Sequence, residues 1–301
     1  MSDAPKPTPP LAGTVGHTSD LTTRFAMGIF LIAVALAAIW FGGWPFRLLV
    51  LVGAAVMLAE WAEMHRVAWL WTWAGVALLA ALLLGGMEYF FPTDLVDTVQ
   101  TELGEDAIAV DVQTFLPLLY LLAAVIGCGL MLALAARRPT LGWGFVYVAV
   151  PALCLLTMSW LYTAIVFWVM VVTWATDIGA FFAGKGIGGP RLAPSISPAK
   201  TWAGLGGGIV AAGGLGYLAA SYFGMGEADD DVFALFFYLG APMAIVAQAG
   251  DLYESWVKRR CGVKDSGTIL PGHGGVLDRC DGLIAVVFVT MLVLAVGLWF
   301  G

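Results

Sequence analysis

Long apolar stretches alternate with short polar joints along almost the whole chain. A membrane-spanning helix needs about 20 mostly apolar residues. Nine segments meet this requirement or come close to it. They are residues 24–41, 46–64, 67–85, 115–135, 141–157, 160–183, 203–223, 232–249 and 282–300. The pattern predicts an all-α, polytopic integral membrane protein with about nine transmembrane helices.

The first twenty residues interrupt this pattern. Residues 1–20 are rich in Pro, Thr and Gly and contain no apolar core, so we predict a disordered tail. Residues 21–301 are predicted to form a single membrane-embedded domain. Within it, the N-terminal helices occupy 24–157, and most polar motifs fall in the helices and loops of 160–301.

Composition strengthens the membrane interpretation. The 301 residues are 60% hydrophobic and only 12% charged, with a mean hydropathy of +0.90. Soluble domains are typically about 25% charged, so this chain could not cover its surface in water. The net charge of −7 argues against a nucleic-acid partner.

The positive charges are sorted by loop. Of the 14 Lys and Arg residues, all but Arg47 lie in the N-terminal region or in the second, fourth, sixth and eighth loops. Positive charge is retained in the cytoplasm, so we predict a cytoplasmic N-terminus and a C-terminus outside. An even number of spans would spoil this alternation, which supports nine.

Three acids fall inside apolar segments, at Glu60, Glu63 and Asp177. A carboxylate at the middle of a membrane helix costs about 2.5–3.5 kcal/mol on insertion scales, so such residues normally face protein, water or an ion. Glu60 and Glu63 are spaced to share one helix face and indicate either a polar pocket or acids that reach the interface from a helix end. For Asp177 we favour a functional or paired role.

Three further acids, Asp251, Asp278 and Asp281, flank the eighth loop. Both ends of this loop return to the same membrane face, so the three carboxylates could meet. Clustered carboxylates suit hard divalent cations such as Mg²⁺. Salt bridges with nearby Lys and Arg are the alternative.

The eighth loop itself is strongly basic, with Lys258, Arg259, Arg260 and Lys264. This pattern fits either a patch for lipid head groups or a clamp for phosphate.

A His273-Gly274-Gly275 sequence follows in the same loop. Paired glycines leave backbone N–H groups open to a phosphate, and His273 could donate to phosphate or cap the turn.

The sixth loop ends in Ser197-Pro198, followed by Lys200 and Thr201. Ser-Pro suits the first turn of a helix, and a helix N-terminus attracts anions. We therefore expect the seventh span to start here and to offer a charge and a hydroxyl to a phosphate. A plain capped membrane helix is the alternative.

Together these residues resemble the phosphatidate cytidylyltransferases, or CDP-diacylglycerol synthases, over roughly residues 20–301. The signature residues stand at the family's spacing: Ser255, Lys258-Arg259, Lys264-Asp265, His273-Gly274-Gly275 and Asp278-Arg279-Cys280-Asp281. Two upstream blocks, from Gly250 to Ser255 and from Ser197 to Gly204, also look like the family, as does Asp177 with Gly184-Lys185. The chain departs from the family pattern at Ala199 and Ala203.

The resemblance implies the reaction of CTP with phosphatidate to give CDP-diacylglycerol and pyrophosphate, with Mg²⁺ and a neighbouring monovalent cation such as K⁺. It implies metal binding by Asp251 and Asp278, with Asp281 as a helper. The phosphate-binding residues expected from it are Lys258, Lys264, Ser255, Arg259, Arg279, His273, Gly274, Gly275, Ser197, Lys200 and Thr201. The same resemblance places the enzyme in the cell (inner) membrane with its active site on the cytoplasmic face, and a homodimer is compatible with it.

Other functions remain open at this point. An ion-coupled transporter would use Asp177, Glu60 and Glu63 as an ion path, but it would not account for the phosphate-type loops. A CTP-dependent lipid kinase, or a cytidylyltransferase for another lipid phosphate, would be distinguished by its product.

Overall fold

The computed structural model describes residues 17–90, 112–225, 230–270 and 274–300. Over these ranges it contains nine long helices and one small hairpin. The elements are α1 (His17–Phe41), α2 (Gly43–Met64), α3 (Trp69–Ala80, continued by a π-helical segment Ala81–Gly86 and a last turn Met87–Phe90), α4 (Val112–Ala135), α5 (Pro139–Leu161), α6 (Thr163–Gly186), β1 (Arg191–Ala193), β2 (Ser197–Thr201), α7 (Trp202–Tyr222), α8 (Asp230–Cys261) and α9 (Leu277–Phe300).

Eight helices in these ranges, α2 to α9, are long and apolar enough to cross a bilayer. The ninth, α1, has a shorter apolar segment at Met27–Phe41. Large apolar side chains such as Phe30, Trp73 and Leu134 are exposed on the outside of the bundle, where lipid would cover them. The prediction of an all-α, polytopic membrane protein is confirmed.

The helices pack around α5, the most deeply buried span, with Phe145 and Leu141 fully buried. Small residues allow a close approach of α6 and α7. A Cβ atom added to Gly179 would lie 2.6 Å from the Gly207 carbonyl oxygen. Close approach through small residues is a common basis of helix association in membranes, where lipid removes the hydrophobic driving force.

One predicted boundary is wrong at α8. We predicted that this span ends at residue 249, whereas the helix continues to Cys261 and carries Lys258 and Arg259 on its last turns. It stops at Gly262, whose φ of +75° favours glycine. The N–H groups of Gly262 and Val263 close the end by donating to carbonyls of the last turn.

The last helix differs in the same direction. We predicted that it begins at residue 282, but α9 begins at Leu277. Asp278 and Asp281 therefore lie on its first turns rather than in the preceding loop.

The predicted helix start at Ser197-Pro198 is also wrong. Residues Ser197–Thr201 form β2, which pairs antiparallel with β1. The helix starts only at Trp202, and Thr201 caps it: its hydroxyl oxygen accepts the Gly204 N–H at 3.0 Å.

At the N-terminus, α1 begins at His17, inside the predicted tail of residues 1–20. The rest of that tail lies outside the described residues. Most of residues 86–114, between the third and fourth predicted spans, also lie outside them, since α3 runs to Phe90 and α4 starts at Val112.

Arg47, the one cation expected away from the others, lies at the opposite end of α2 from Glu60. It is buried and forms an ion pair of 2.6 Å with Glu88 at the end of α3. The pairing is consistent with the charge sorting, because the exceptional cation is neutralised locally.

Candidate active site

The end of α2, the last turns of α8, the loop after α8 and the start of α9 meet at one end of the bundle. Glu60 joins them. Its side chain is buried, with one carboxylate oxygen accepting the Val276 N–H at 2.9 Å. The other oxygen accepts the Leu277 N–H at 2.9 Å and the Ser266 hydroxyl at 3.1 Å. A single carboxylate thus holds the loop and caps the N-terminus of α9.

Two glycines make this contact possible. A Cβ atom on Gly267 would lie 2.7 Å from one Glu60 oxygen, and one on Gly275 would lie 2.6 Å from the other. The expectation that the Gly275 N–H is open to a phosphate is not met, because that N–H donates to Asp278 at 2.9 Å. Gly274 adopts a φ of +85°, and its carbonyl accepts the Leu270 N–H. Gly275 therefore allows the close approach of Glu60, and Gly274 provides the backbone conformation of the turn.

Asp278 is held by donors on both oxygens. One accepts from the Lys258 ammonium at 2.7 Å and from the Ser266 N–H at 3.0 Å. The other accepts from the N–H groups of Ser266 and Gly275, each at 2.9 Å. The predicted metal ligand Asp278 is therefore an organiser of the loop in this structure.

Lys258 bridges two acids. Besides Asp278 it pairs with Glu254 at 2.6 Å, one helical turn earlier on α8. Glu254 is completely buried, and the Lys258 side chain is only 12% exposed. We predicted that Lys258 binds phosphate. In this structure two carboxylates neutralise its ammonium group, so the group is not free to bind a phosphate.

The sequence reasoning missed Glu254 as a site residue. Its i,i+4 spacing to Lys258 is the typical spacing of a helical ion pair. The signal was available but was overlooked because residues 250–261 were assigned to a loop.

A second group of acids lies on facing surfaces of α6, α8 and α9. The Asp281 carboxylate is close enough to those of Asp251, Glu254 and Asp177 for appreciable electrostatic repulsion. The backbones of α8 and α9 approach closely here, since a Cβ atom on Gly250 would lie 2.6 Å from the Asp281 carbonyl oxygen. That Asp251, Asp278 and Asp281 meet as one group stays a prediction. The alternative of salt bridges is seen for two of them, because Asp251 pairs with Lys200 and Asp278 pairs with Lys258.

An open cleft of about 420 Å³ lies beside these acids, between α6, α7, α8 and β2. Its walls carry the acids Asp177 and Asp251 and the cations Lys185, Arg191 and Lys200. Lys200, on β2, forms an ion pair with Asp251 on α8. This pair connects the hairpin to the acidic group, so the cleft combines both signs of charge.

The remaining residues of the basic motif lie around this end of the bundle. The Ser255 hydroxyl is 3.5 Å from an Asp251 oxygen, a long contact, and Arg259 is exposed and donates to the Val263 carbonyl. Lys264 and Arg279 are exposed.

Three other predicted site residues differ in their position in the structure. Ser197 is half-buried within β2. Glu63 is exposed and does not share the buried environment of Glu60. Of the two alternatives for this pair, a polar pocket or acids at a helix end that reach the interface, the exposure of Glu63 fits the second. His273 lies outside the described residues.

Mg²⁺ is the metal that the sequence predicts for these acids. Within the described ranges no three His, Cys, Asp or Glu side chains form a ready metal shell. Mg²⁺, however, commonly uses only one or two carboxylates and completes its shell with water and substrate phosphates. Asp251 and Asp281 have fewer donors to give up than Asp278: Asp251 pairs with Lys200 and Asp281 accepts the Gly282 N–H, whereas Asp278 accepts from Lys258 and from two backbone N–H groups.

Known proteins are similar to this chain over most of its length. The model of the cytidylyltransferase family matches residues 22–296. A phosphatidate cytidylyltransferase of Brucella suis is 36% identical over 280 residues, which cover 89% of this chain and 90% of the relative. Relatives of the same name from Helicobacter pylori and Haemophilus influenzae are 50% and 41% identical over 120 residues, 40% of this chain and 42% of each relative.

Proposed function

The chain belongs to the cytidylyltransferase family, and we propose that it transfers the cytidylyl group of CTP to phosphatidate, giving CDP-diacylglycerol and pyrophosphate. The observation that carries this proposal is the mixed-charge cleft. Lys185, Arg191 and Lys200 lie beside Asp177 and Asp251 at the end of a membrane bundle. Such a site can bind polyphosphate while it remains in contact with a lipid.

The chemistry needs little proton transfer. The phosphate monoester of phosphatidate is largely dianionic near pH 7, because the second pKa of such groups is about 6. A phosphate oxygen of the lipid attacks the α-phosphorus of CTP. A new P–O bond forms, and the bond to the β-phosphate oxygen breaks to release pyrophosphate. Positioning and charge stabilisation are the main catalytic means for phosphoryl transfer of this kind.

The cations of the cleft supply part of that stabilisation. Lys185 and Arg191 are exposed to the cleft and are suited to bind phosphate oxygens. Lys200 is held by Asp251, so a phosphate that binds Lys200 is positioned against the acidic group.

A divalent cation fits the site. Asp251 and Asp281 would hold Mg²⁺ once the Lys200 ammonium moves away from Asp251, and Asp177 lines the same cleft as Asp251. When bound, the ion would neutralise phosphate charge and align the attacking and leaving oxygens. The resemblance also suggests K⁺ nearby and assigns Asp278 to the metal. An Asp278 ligand would require the Lys258 ammonium to move away.

The charge sorting supports a cytoplasmic location for the site, in the inner membrane. The cleft cations belong to the set of Lys and Arg that the alternation assigns to the cytoplasm, where CTP is present. A homodimer remains a prediction, which cross-linking in native membranes can test.

The purified chain in nanodiscs, supplied with labelled CTP, Mg²⁺ and phosphatidate, should form CDP-diacylglycerol. Asp251→Asn should abolish product formation because it removes a charge from the acidic group and from the Lys200 ion pair. Glu88→Gln, at the other end of the bundle, is the matched control and should retain activity. A phosphorylated lipid as the product, or full activity of Asp251→Asn, would refute the proposal.

A further inference from the structure

A second cavity, of about 210 Å³, lies inside the bundle between α1, α2, α5, α6 and α9. We call it the apolar groove. Among the described residues no charged side chain lines it, and its walls include Phe46, Val50, Val166 and Leu283. Along α2 it extends from Phe46 to Met57, roughly 16 Å at 1.5 Å per residue.

The apolar groove leads to the end of the bundle that carries the candidate active site. Its walls there include Val276, just before α9, and Cys280 on α9, which precedes Asp281 in the sequence. On α6 its walls include Val166 and Met170, and Asp177 follows at a spacing of seven residues, which places it on the same helix face. Asp177 lies roughly 10 Å beyond Met170 along the axis. One helix face therefore runs from the groove to the mixed-charge cleft.

We propose that the apolar groove holds one acyl chain of the phosphatidate substrate while the phosphate occupies the cleft. This inference rests on the proposed function and adds the location of the lipid tail. The groove is apolar, about as long as one bilayer leaflet is deep, and it reaches Cys280, which precedes Asp281 in the sequence.

The groove acts through position rather than affinity. Lipid tails are as apolar as the groove walls, so moving a chain from the bilayer into the groove gains little free energy. A chain fixed along α6 instead determines where its phosphate lies relative to Asp177 and Asp251. A misplacement of about 1 Å can cost about 100-fold in rate.

A substitution at Gly53 tests whether the groove holds an acyl chain. It lines the groove, and a Cβ atom added to it would meet no atom within 4 Å. Gly53→Leu therefore fills the groove without forcing the helices apart, and it replaces a poor helix former by a good one. Gly127 on α4 is the matched control: it is exposed, and its added Cβ atom would also meet nothing within 4 Å.

The experiment compares dioleoyl and dihexanoyl phosphatidate with saturating CTP and Mg²⁺. Gly53→Leu should lower kcat/KM for the dioleoyl lipid by about tenfold or more, because the displaced chain misplaces its phosphate. Activity on the dihexanoyl lipid should be unchanged, since its short chains do not reach Gly53. Gly127→Leu should match the wild type on both lipids.

The possible results separate the two proposals. If the wild type makes no CDP-lipid from either substrate, the proposed function itself fails. If the wild type is active and Gly53→Leu loses activity equally on both lipids, or on neither, the acyl-chain proposal is overturned.

A second measurement does not depend on activity. A phosphatidate with a diazirine near the end of one chain should label groove residues of α2 or α6, and Gly53→Leu should suppress that label. Labelling confined to outward positions such as Val52 would overturn the proposal. So would labelling of the groove that excess phosphatidylcholine suppresses as strongly as excess phosphatidate does.

Discussion

The Glu60 carboxylate is the most informative residue to perturb, because it receives hydrogen bonds from three residues of the loop and the last helix. Glu60→Gln keeps the shape and removes the charge. If the amide oxygen replaces the carboxylate oxygen that accepts from the Leu277 N–H and the Ser266 hydroxyl, the amide NH₂ group faces the Val276 N–H. One charge-assisted hydrogen bond is then replaced by two opposed donors.

The magnitude follows from these contacts. A hydrogen bond to a charged group contributes about 1.5–3 kcal/mol. A negative charge at a helix N-terminus contributes about 0.3–1 kcal/mol more. Glu60→Gln should therefore make opening of the loop and the first turn of α9 easier by about 2–4 kcal/mol, or roughly 30- to 1000-fold in the opening equilibrium.

Hydrogen–deuterium exchange of peptides that contain Ser266, Val276 and Leu277 measures this opening in nanodiscs. Exchange of these amides should accelerate in Glu60→Gln by about 30-fold or more. Activity should fall by about 10- to 100-fold, as is typical when a supporting partner of a site is lost, because Asp278 is held by the same loop.

Glu63→Gln is the matched control, with the same chemistry one turn later on an exposed position. It should leave both exchange and activity unchanged. Unaltered protection of Val276 and Leu277 in Glu60→Gln, or an equal effect in Glu63→Gln, would show that Glu60 does not hold the loop.

Three further substitutions test other contacts. Glu254→Ala should lower the unfolding temperature and reduce activity, because Lys258 loses one buried partner and breaking a buried pair costs about 3–5 kcal/mol. An unchanged unfolding temperature in a calorimetric scan would contradict this prediction. Gly250→Leu should separate α8 from α9 at Asp281 and abolish CDP-lipid formation in a radiometric assay while the protein remains membrane-inserted. Arg47→Met should reduce stability by about 1 kcal/mol in denaturant titration but leave turnover intact, since its ion pair lies at the opposite end.

The apolar pattern was sufficient to predict the helices, because lipid imposes one length and one composition on every span. The predicted ends at residues 64 and 135 agree with α2 and α4. Errors arose where helices continue beyond the membrane into polar sequence. Residues 251–261 look like a loop by composition, yet they contain no Gly or Pro before Gly262.

The acids of the site were identified from their types and spacing, but their partners were not. Lys258 and Asp278 were read as separate ligands for phosphate and metal, whereas they form an ion pair. Glu60 contacts Leu277 across 217 positions of sequence. No local pattern encodes such a contact; it depends on how α2 and α9 are brought together by packing.

That separation has a consequence for biogenesis. Glu60 enters the membrane long before the helix that it caps has been translated, and ribosomes add about 5–20 residues per second. For the 217 residues between Glu60 and Leu277, this corresponds to a delay of roughly 10–45 s. During that time the carboxylate must rely on water at the membrane surface or on an insertion factor. The Glu60 contacts of the candidate site therefore form only after Leu277 has been translated.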